Sequence, residues 1–145
     1  MSDWQLQETS THQDHVVAHV IGATVLGYFV WDEALHLLLD IGFIWTIYVD
    51  GAMGLLPHPV AVNELEIAEE PLKEIKGDVD LLLRAPATTS GLKHFKASPV
   101  ECLITDVRIF TSSEKRRLLI AGEEGDLEIQ TSVSSGEILL GPAPR

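Results

Sequence analysis

Apolar and polar residues alternate in several short runs along this chain, and turn residues separate the runs. The clearest series covers residues 104–133, where Ile-Thr-Asp-Val-Arg-Ile-Phe, Leu-Leu-Ile-Ala-Gly and Leu-Glu-Ile-Gln-Thr-Ser-Val follow one another with polar segments between them. Alternation with a period of two is typical of half-buried β-strands. The pattern therefore predicts a three-stranded antiparallel meander over 104–133.

The first half of the chain is more ambiguous. Residues 15–31 are rich in Val, Ile and Thr, which pack well on a pleated surface, so the segment favours strand with bends at Gly22 and Gly27. A helix over 12–21 followed by a strand from 23 fits the same residues. Residues 35–41 fit either a short helix or a strand that follows a turn at 32–34.

A weak internal similarity favours the strand over residues 35–41. The segment 24–49 has the same order of elements as 104–133, and both copies then reach two leucines near a proline. The sequence thus predicts two related meanders, at about 20–57 and about 100–142. In the first, Asp50-Gly51 predicts a two-residue hairpin turn, because such a turn requires positive φ at both central positions.

The middle of the chain predicts a mixture of short elements. A rigid corner is expected at 57–59, a strand over 60–67, a helix over 69–77 and another strand over 78–84. Residues 85–99 form the longest predicted loop, with one helical turn at 92–96.

Together these elements predict a mainly β fold, in which antiparallel meanders form a sandwich or a distorted barrel with one or two short helices. The alternative is an α+β arrangement with an N-terminal helix near 12–21. Residues 1–14 are expected to be a polar arm and residues 15–145 a single domain. Trp31 and Trp45 are the largest expected core side chains. The rest of the predicted core consists of Val25, Phe29, Leu37, Leu39, Ile47, Leu103, Leu119, Ile120 and Ile129.

Charge excludes some classes of partner. Ten Lys and Arg stand against 22 Asp and Glu, which gives a net charge of -12 and a pI near 4.7. A negative field repels nucleic acid and anionic lipid, so neither is an expected partner. The single cysteine, Cys102, lies in an apolar run and is expected to be buried. The N-terminal residues lack a secretory pattern and no apolar run is long enough to span a bilayer, so the sequence predicts a cytoplasmic protein.

Six histidines supply the only candidates for chemistry. His12, His15 and His19 have the spacing that places imidazoles on one helix face, where they would bind a divalent transition metal. His36 and Asp40 are spaced to share a face, but a partly exposed polar stripe is the preferred interpretation over a catalytic pair. His94, with Lys93 and Lys96, is a candidate for an anion-binding patch, but a solvated loop with one anchoring Phe is the preferred interpretation.

The sequence contains no nucleotide-binding, zinc-peptidase or nucleophile motif, and it resembles no family by motif. We therefore expect no cofactor and no catalytic residue. A non-enzymatic binding or protein-interaction module is the preferred hypothesis, with a second copy or another protein as its partner. The aliphatic segment 16–56 suggests self-association through a sheet edge or face in this half of the chain. The alternative is a metal-dependent or small-molecule-binding protein that uses the N-terminal histidines.

Overall fold

The computed structural model describes residues 4–85 and 90–144. Within them lie three helices: α1 (Thr11–Val20), α2 (Val60–Asn63) and α3 (Glu69–Arg84). Ten strands complete the described elements: β1 (Gln5–Leu6), β2 (Val25–Trp31), β3 (Ala34–Leu39), β4 (Phe43–Tyr48), β5 (Met53–Pro57), β6 (Lys96–Ala97), β7 (Ile104–Ser112), β8 (Lys115–Gly122), β9 (Asp126–Ser132) and β10 (Ile138–Ala143).

The strands form two antiparallel sheets of five strands each. The first sheet has the order β5-β4-β3-β2-β6, and the second has the order β1-β7-β8-β9-β10. Four consecutive strands in each sheet are a meander, so the predicted mainly β sandwich and the predicted meander over 104–133 are both confirmed. Whether the two meanders are a sequence repeat stays a prediction.

The main core lies between the two sheets. Leu35, Leu37 and Leu39 of β3 point into it, and Trp45 of β4 is fully buried there. The second sheet contributes its alternate residues, which are Val107, Ile109, Leu118, Ile120, Leu127 and Ile129. Three predicted core residues, Trp31, Leu103 and Leu119, are only half-buried. Leu119 lies on the opposite face of β8 from its neighbours Leu118 and Ile120, because adjacent residues of a strand face opposite sides.

A second core covers the other face of the first sheet. Helix α3 packs on this face through Ile75, Val79 and Leu82, which recur at helical spacing. Helix α3 and strand β6 both lie close to the backbone of Gly27 in β2. A Cβ at this position would lie 2.8 Å from Leu82 Cδ1 and 2.8 Å from the Lys96 carbonyl oxygen. All six residues of β3 are consequently buried.

The segment 11–20 is a helix, so the favoured strand over its residues is wrong and the helical alternative is correct. A capping box begins the helix: the Ser10 side chain accepts the Gln13 N–H at 3.1 Å, and the Gln13 side chain accepts the Ser10 N–H at 2.9 Å. These two reciprocal bonds satisfy backbone donors that a helix start otherwise leaves free. They outweigh the weak strand preference of the valines that follow.

The middle of the chain is more helical than expected. Residues 60–63 form α2, and α3 continues through Gly77 to Arg84, so the strands predicted at 60–67 and 78–84 are wrong. A single glycine weakens a helix by only about 1 kcal/mol, and burial of Val79 and Leu82 outweighs that loss. In the predicted loop, the described residues contain β6 at 96–97 instead of the helical turn at 92–96. Residues 86–89 of that loop lie outside the described residues.

The hairpin at Asp50-Gly51 is confirmed, but its loop is longer than two residues. The Tyr48 N–H donates to the Ala52 carbonyl at 2.9 Å, so three residues connect the strands. Gly51 has φ +92°, which is the left-handed conformation expected at the last position of such a loop.

Candidate functional site

The three N-terminal histidines lie on α1 and are all exposed. His12 Nε2 lies 2.8 Å from the Met53 carbonyl oxygen, so it donates a hydrogen bond to the edge of β5. His19 Nδ1 lies 2.8 Å from the His15 carbonyl oxygen of the preceding turn. One ring nitrogen of His12 and one of His19 are therefore occupied by backbone carbonyls.

Among residues 4–85 and 90–144, no three His, Cys, Asp or Glu side chains are grouped so that they could hold a metal ion. Binding at His12, His15 and His19 would require these side chains to rotate away from their present partners. Metal binding at these residues stays the alternative hypothesis, which thermal melts with and without metal test.

His36 and Asp40 have different surroundings and do not form a pair. His36 is 4% exposed, it stacks on Phe29 at 4.8 Å between ring centroids, and its Nδ1 lies 2.9 Å from Thr46 Oγ1. Asp40 is exposed beyond the end of β3, where Oδ1 accepts the Thr24 N–H at 3.0 Å. The partly exposed stripe expected here is wrong, because His36 lies on the face of β3 that the second core covers. Burial lowers the pKa of His36 from 6.5 to about 4, so the ring is neutral at pH 7.

The cations near His94 are directed at an acidic side chain of α3. His94 Nε2 lies 3.2 Å from Glu74 Oε1, and Lys93 Nζ lies 3.5 Å from Glu74 Oε2. The hydrogen bond from His94, helped by Lys93, lowers the pKa of the Glu74 carboxyl. Phe95 anchors the segment in the second core with 3% exposure. Glu74 thus occupies the position that a bound anion would take.

Backbone groups that could pair with a partner's strand lie on β10, the last strand of the second sheet. The Ser132 N–H donates to the Glu137 carbonyl at 3.0 Å, which fixes the alternation of hydrogen-bonded pairs between β9 and β10. In that alternation Leu139 and Gly141 bond to β9, whereas Ile138, Leu140 and Pro142 direct their backbone groups away from the sheet. No strand lies beyond β10 in the part of the chain that the structure describes. Pro142 has no N–H to offer, which suits the outer side of an edge strand.

The outer face of the second sheet carries half-buried and exposed side chains, whereas α3 packs on the outer face of the first sheet. A row of side chains crosses this face of the second sheet, because Phe110, Arg117, Gln130 and Leu139 are directly opposite one another on successive strands. Arg117 lies 5.6 Å from the Phe110 ring centroid, and its Nε lies 3.2 Å from Glu128 Oε1. Burial alone would raise the pKa of Glu128, but hydrogen bonds from Gln130 and Arg117 lower it overall. Leu139, at the end of the row, is 57% exposed.

The other edge strands are less suited to pairing with an added strand. Strands β1 and β6 have two residues each. Helix α1 lies against β5, where His12 binds the Met53 carbonyl and Gln13 Nε2 donates to the Gly51 carbonyl at 2.8 Å. Short or covered edges resist the addition of a further strand. Sequence inspection missed β10 as an edge, although the Pro142 that follows Leu139 and Leu140 is a recognisable sign of one.

No helix among the described residues is long and apolar enough to cross a membrane. Comparison of the chain with protein-family models, with curated proteins and with solved structures finds no match. The function must therefore be argued from the geometry of the molecule.

Proposed function

We propose that this protein is a non-enzymatic interaction module that binds an extended protein segment as an additional strand along β10. The observation that carries the proposal is the outer edge of β10, beyond which no described strand lies and where Ile138 and Leu140 direct their N–H and C=O groups away from the sheet. Main-chain hydrogen bonds to such an edge supply affinity, and the neighbouring side chains supply specificity.

The side chains beside this edge suit a protein partner. Ile138 and Leu140 are half-buried and pack on the main core, so a new strand would extend an apolar surface on the inner side. On the outer side the strand would contact Leu139, which is exposed, and the space above Gly141, where a Cβ would meet no atom within 4 Å. The chain's net charge of -12 favours segments that carry few acidic residues.

Backbone amide signals of the labelled protein test the proposal directly. We expect the capped synthetic peptide Lys-Val-Thr-Val-Thr-Val-Lys to shift the amide signals of Ile138 and Leu140 and to slow their hydrogen exchange. The same peptide with N-methylated backbone nitrogens is the matched control, because it cannot donate the main-chain hydrogen bonds. The amide of Leu139 bonds to β9 and serves as an internal reference. The measurement is made at a concentration at which the protein is monomeric by sedimentation. If both peptides then act alike, or if neither changes these amides, binding by strand addition is excluded.

A further inference from the structure

We infer that the segment bound at β10 is β10 of a second copy of this chain, paired antiparallel about a two-fold axis at Leu139. This inference rests on the proposed function, and it specifies both the partner and the register. It follows from the pattern of donors and acceptors along the edge.

The free groups of β10 complement themselves more fully with the two-fold axis at Leu139 than with the axis at Leu140. With the axis at Leu139, Ile138 of one copy lies opposite Leu140 of the second copy, and each residue donates to and accepts from the other. The symmetric pair repeats this exchange, so every outward N–H of Ile138 and Leu140 acquires a partner. With the axis at Leu140, Ile138 would instead face Pro142, which has no N–H, and its carbonyl would lack a donor.

The side chains agree with the same register. Residues opposite each other in an antiparallel pair lie on the same face, so Ile138 and Leu140 of the two copies would meet on the inner face and continue the main core. On the outer face the two exposed Leu139 side chains would lie opposite each other in a pair without mutual hydrogen bonds, where side chains approach most closely. Glu137 would lie opposite Gly141 of the second copy, where the absence of a side chain leaves room.

Charge sets the conditions under which the pair forms. Each copy carries a net charge of -12, so the two copies repel each other at long range while backbone and apolar contacts hold them together. Added salt screens this repulsion. Self-association should therefore strengthen as salt rises, in contrast to an interface held by ion pairs.

Sedimentation equilibrium of the full chain tests the inference. We expect the mass to rise from 15.9 kDa towards twice that value as the protein concentration increases from about 1 to about 300 µM. The concentration at which half of the protein is dimeric should fall at higher salt. Leu139→Lys places two like charges opposite each other and should weaken the dimer at least about tenfold. Val133→Lys is the matched control, since Val133 is 45% exposed but lies outside β10. Thermal melts of both variants establish that they are folded.

Cysteine cross-linking tests the register. Under mild oxidation, Leu139→Cys should form a disulfide-linked dimer, because Cα atoms in such pairs are about 4.5 Å apart. Glu137→Cys alone should not cross-link, but it should do so when mixed with Gly141→Cys. The native Cys102 is fully buried, so the unmodified chain is a suitable control.

Three results would overturn the inference: a monomer at every concentration and salt, a dimer that Leu139→Lys leaves intact, or cross-linking of Glu137→Cys with itself. If the chain is monomeric but the synthetic peptide still binds at Ile138 and Leu140, the second copy is excluded and the proposed function remains. If the peptide also fails to bind, both are excluded.

Discussion

Asp78 Oδ2 accepts the backbone N–H of Phe95 at 2.8 Å, although the two residues are 17 positions apart in the sequence. The same carboxylate also accepts the N–H groups of Lys93 and His94, at 2.9 Å and 2.7 Å. Asp78 is 1% exposed. One buried carboxylate on α3 therefore fixes the segment that leads into β6, and with it the covering of the first sheet.

Replacing Asp78 by Ala should lower the free energy of unfolding by about 3 kcal/mol, because three backbone donors lose their acceptor in a buried position. Asp78→Asn retains one acceptor oxygen and should lose less. Asp80→Ala is the control, since the Asp80 side chain is 63% exposed on the same helix and should change stability by no more than about 0.5 kcal/mol. Urea unfolding measures all three, and equal losses for Asp78→Ala and Asp80→Ala would contradict this account.

His36 should make stability depend on pH. Its pKa is about 4 in the folded protein and 6.5 when unperturbed, so the unfolded chain takes up a proton that the folded chain does not. Stability is therefore complete above pH 6.5 and falls as pH decreases towards 4, by about 3 kcal/mol in total. The double variant His36→Leu, Thr46→Val removes both hydrogen-bond partners. Its free energy of unfolding should lose the part of the pH dependence that His36 contributes.

Thr46→Val alone is the control for that experiment, because it retains the buried ring. Unfolding free energies measured at several values between pH 4 and pH 7 give the slopes. Identical slopes for the double variant and the control would show that His36 does not titrate as its burial implies.

Ser10→Ala should destabilise the protein by about 1 kcal/mol, since the Gln13 N–H loses its acceptor at the start of α1. Ser10→Asp supplies a carboxylate at the same position and should retain most of the stability. Chemical unfolding of the two variants distinguishes loss of the cap from a general effect of substitution. A loss of equal size in Ser10→Asp would rule out the cap as the cause.

Zn²⁺ or Ni²⁺ should leave the melting temperature within about 1 °C of its metal-free value. His12 and His19 are engaged by backbone carbonyls, and no three His, Cys, Asp or Glu side chains among the described residues are grouped so that they could hold a metal ion. Thermal melts with metal and after chelation measure the effect, and the variant His15→Ala, His19→Ala is the control. A rise that this variant abolishes would establish the metal hypothesis in place of our expectation.

The alternation of apolar residues predicted β7, β8 and β9 of the second sheet well, because each of these strands has alternate residues in the main core. It failed where both sides of an element are covered or where a local bond decides the conformation. The capping box at Ser10 and Gln13 decides α1, and the apolar stripe of α3 continues past Gly77. His36 could not be recognised as buried, since the residues that cover it come from α3 and from the chain near Phe95.

The candidate site escaped sequence analysis for a different reason. Which strand lies at the edge of a sheet depends on how all the strands are ordered, and within residues 138–143 only Pro142 favours an edge position. Leu139 is apolar like many core residues, and its exposure follows only from the position of β10.

Helix α1, which lies against β5, would also limit the inferred assembly. Of the described edge strands, only β5 and β10 have more than two residues, and α1 engages the first of them through His12 and Gln13. A chain that pairs through two edges adds copies without end and forms a fibre, whereas a pair joined through a single edge is closed. If two copies pair through β10, loosening α1 would expose β5 as a second edge and turn the closed pair into a growing polymer.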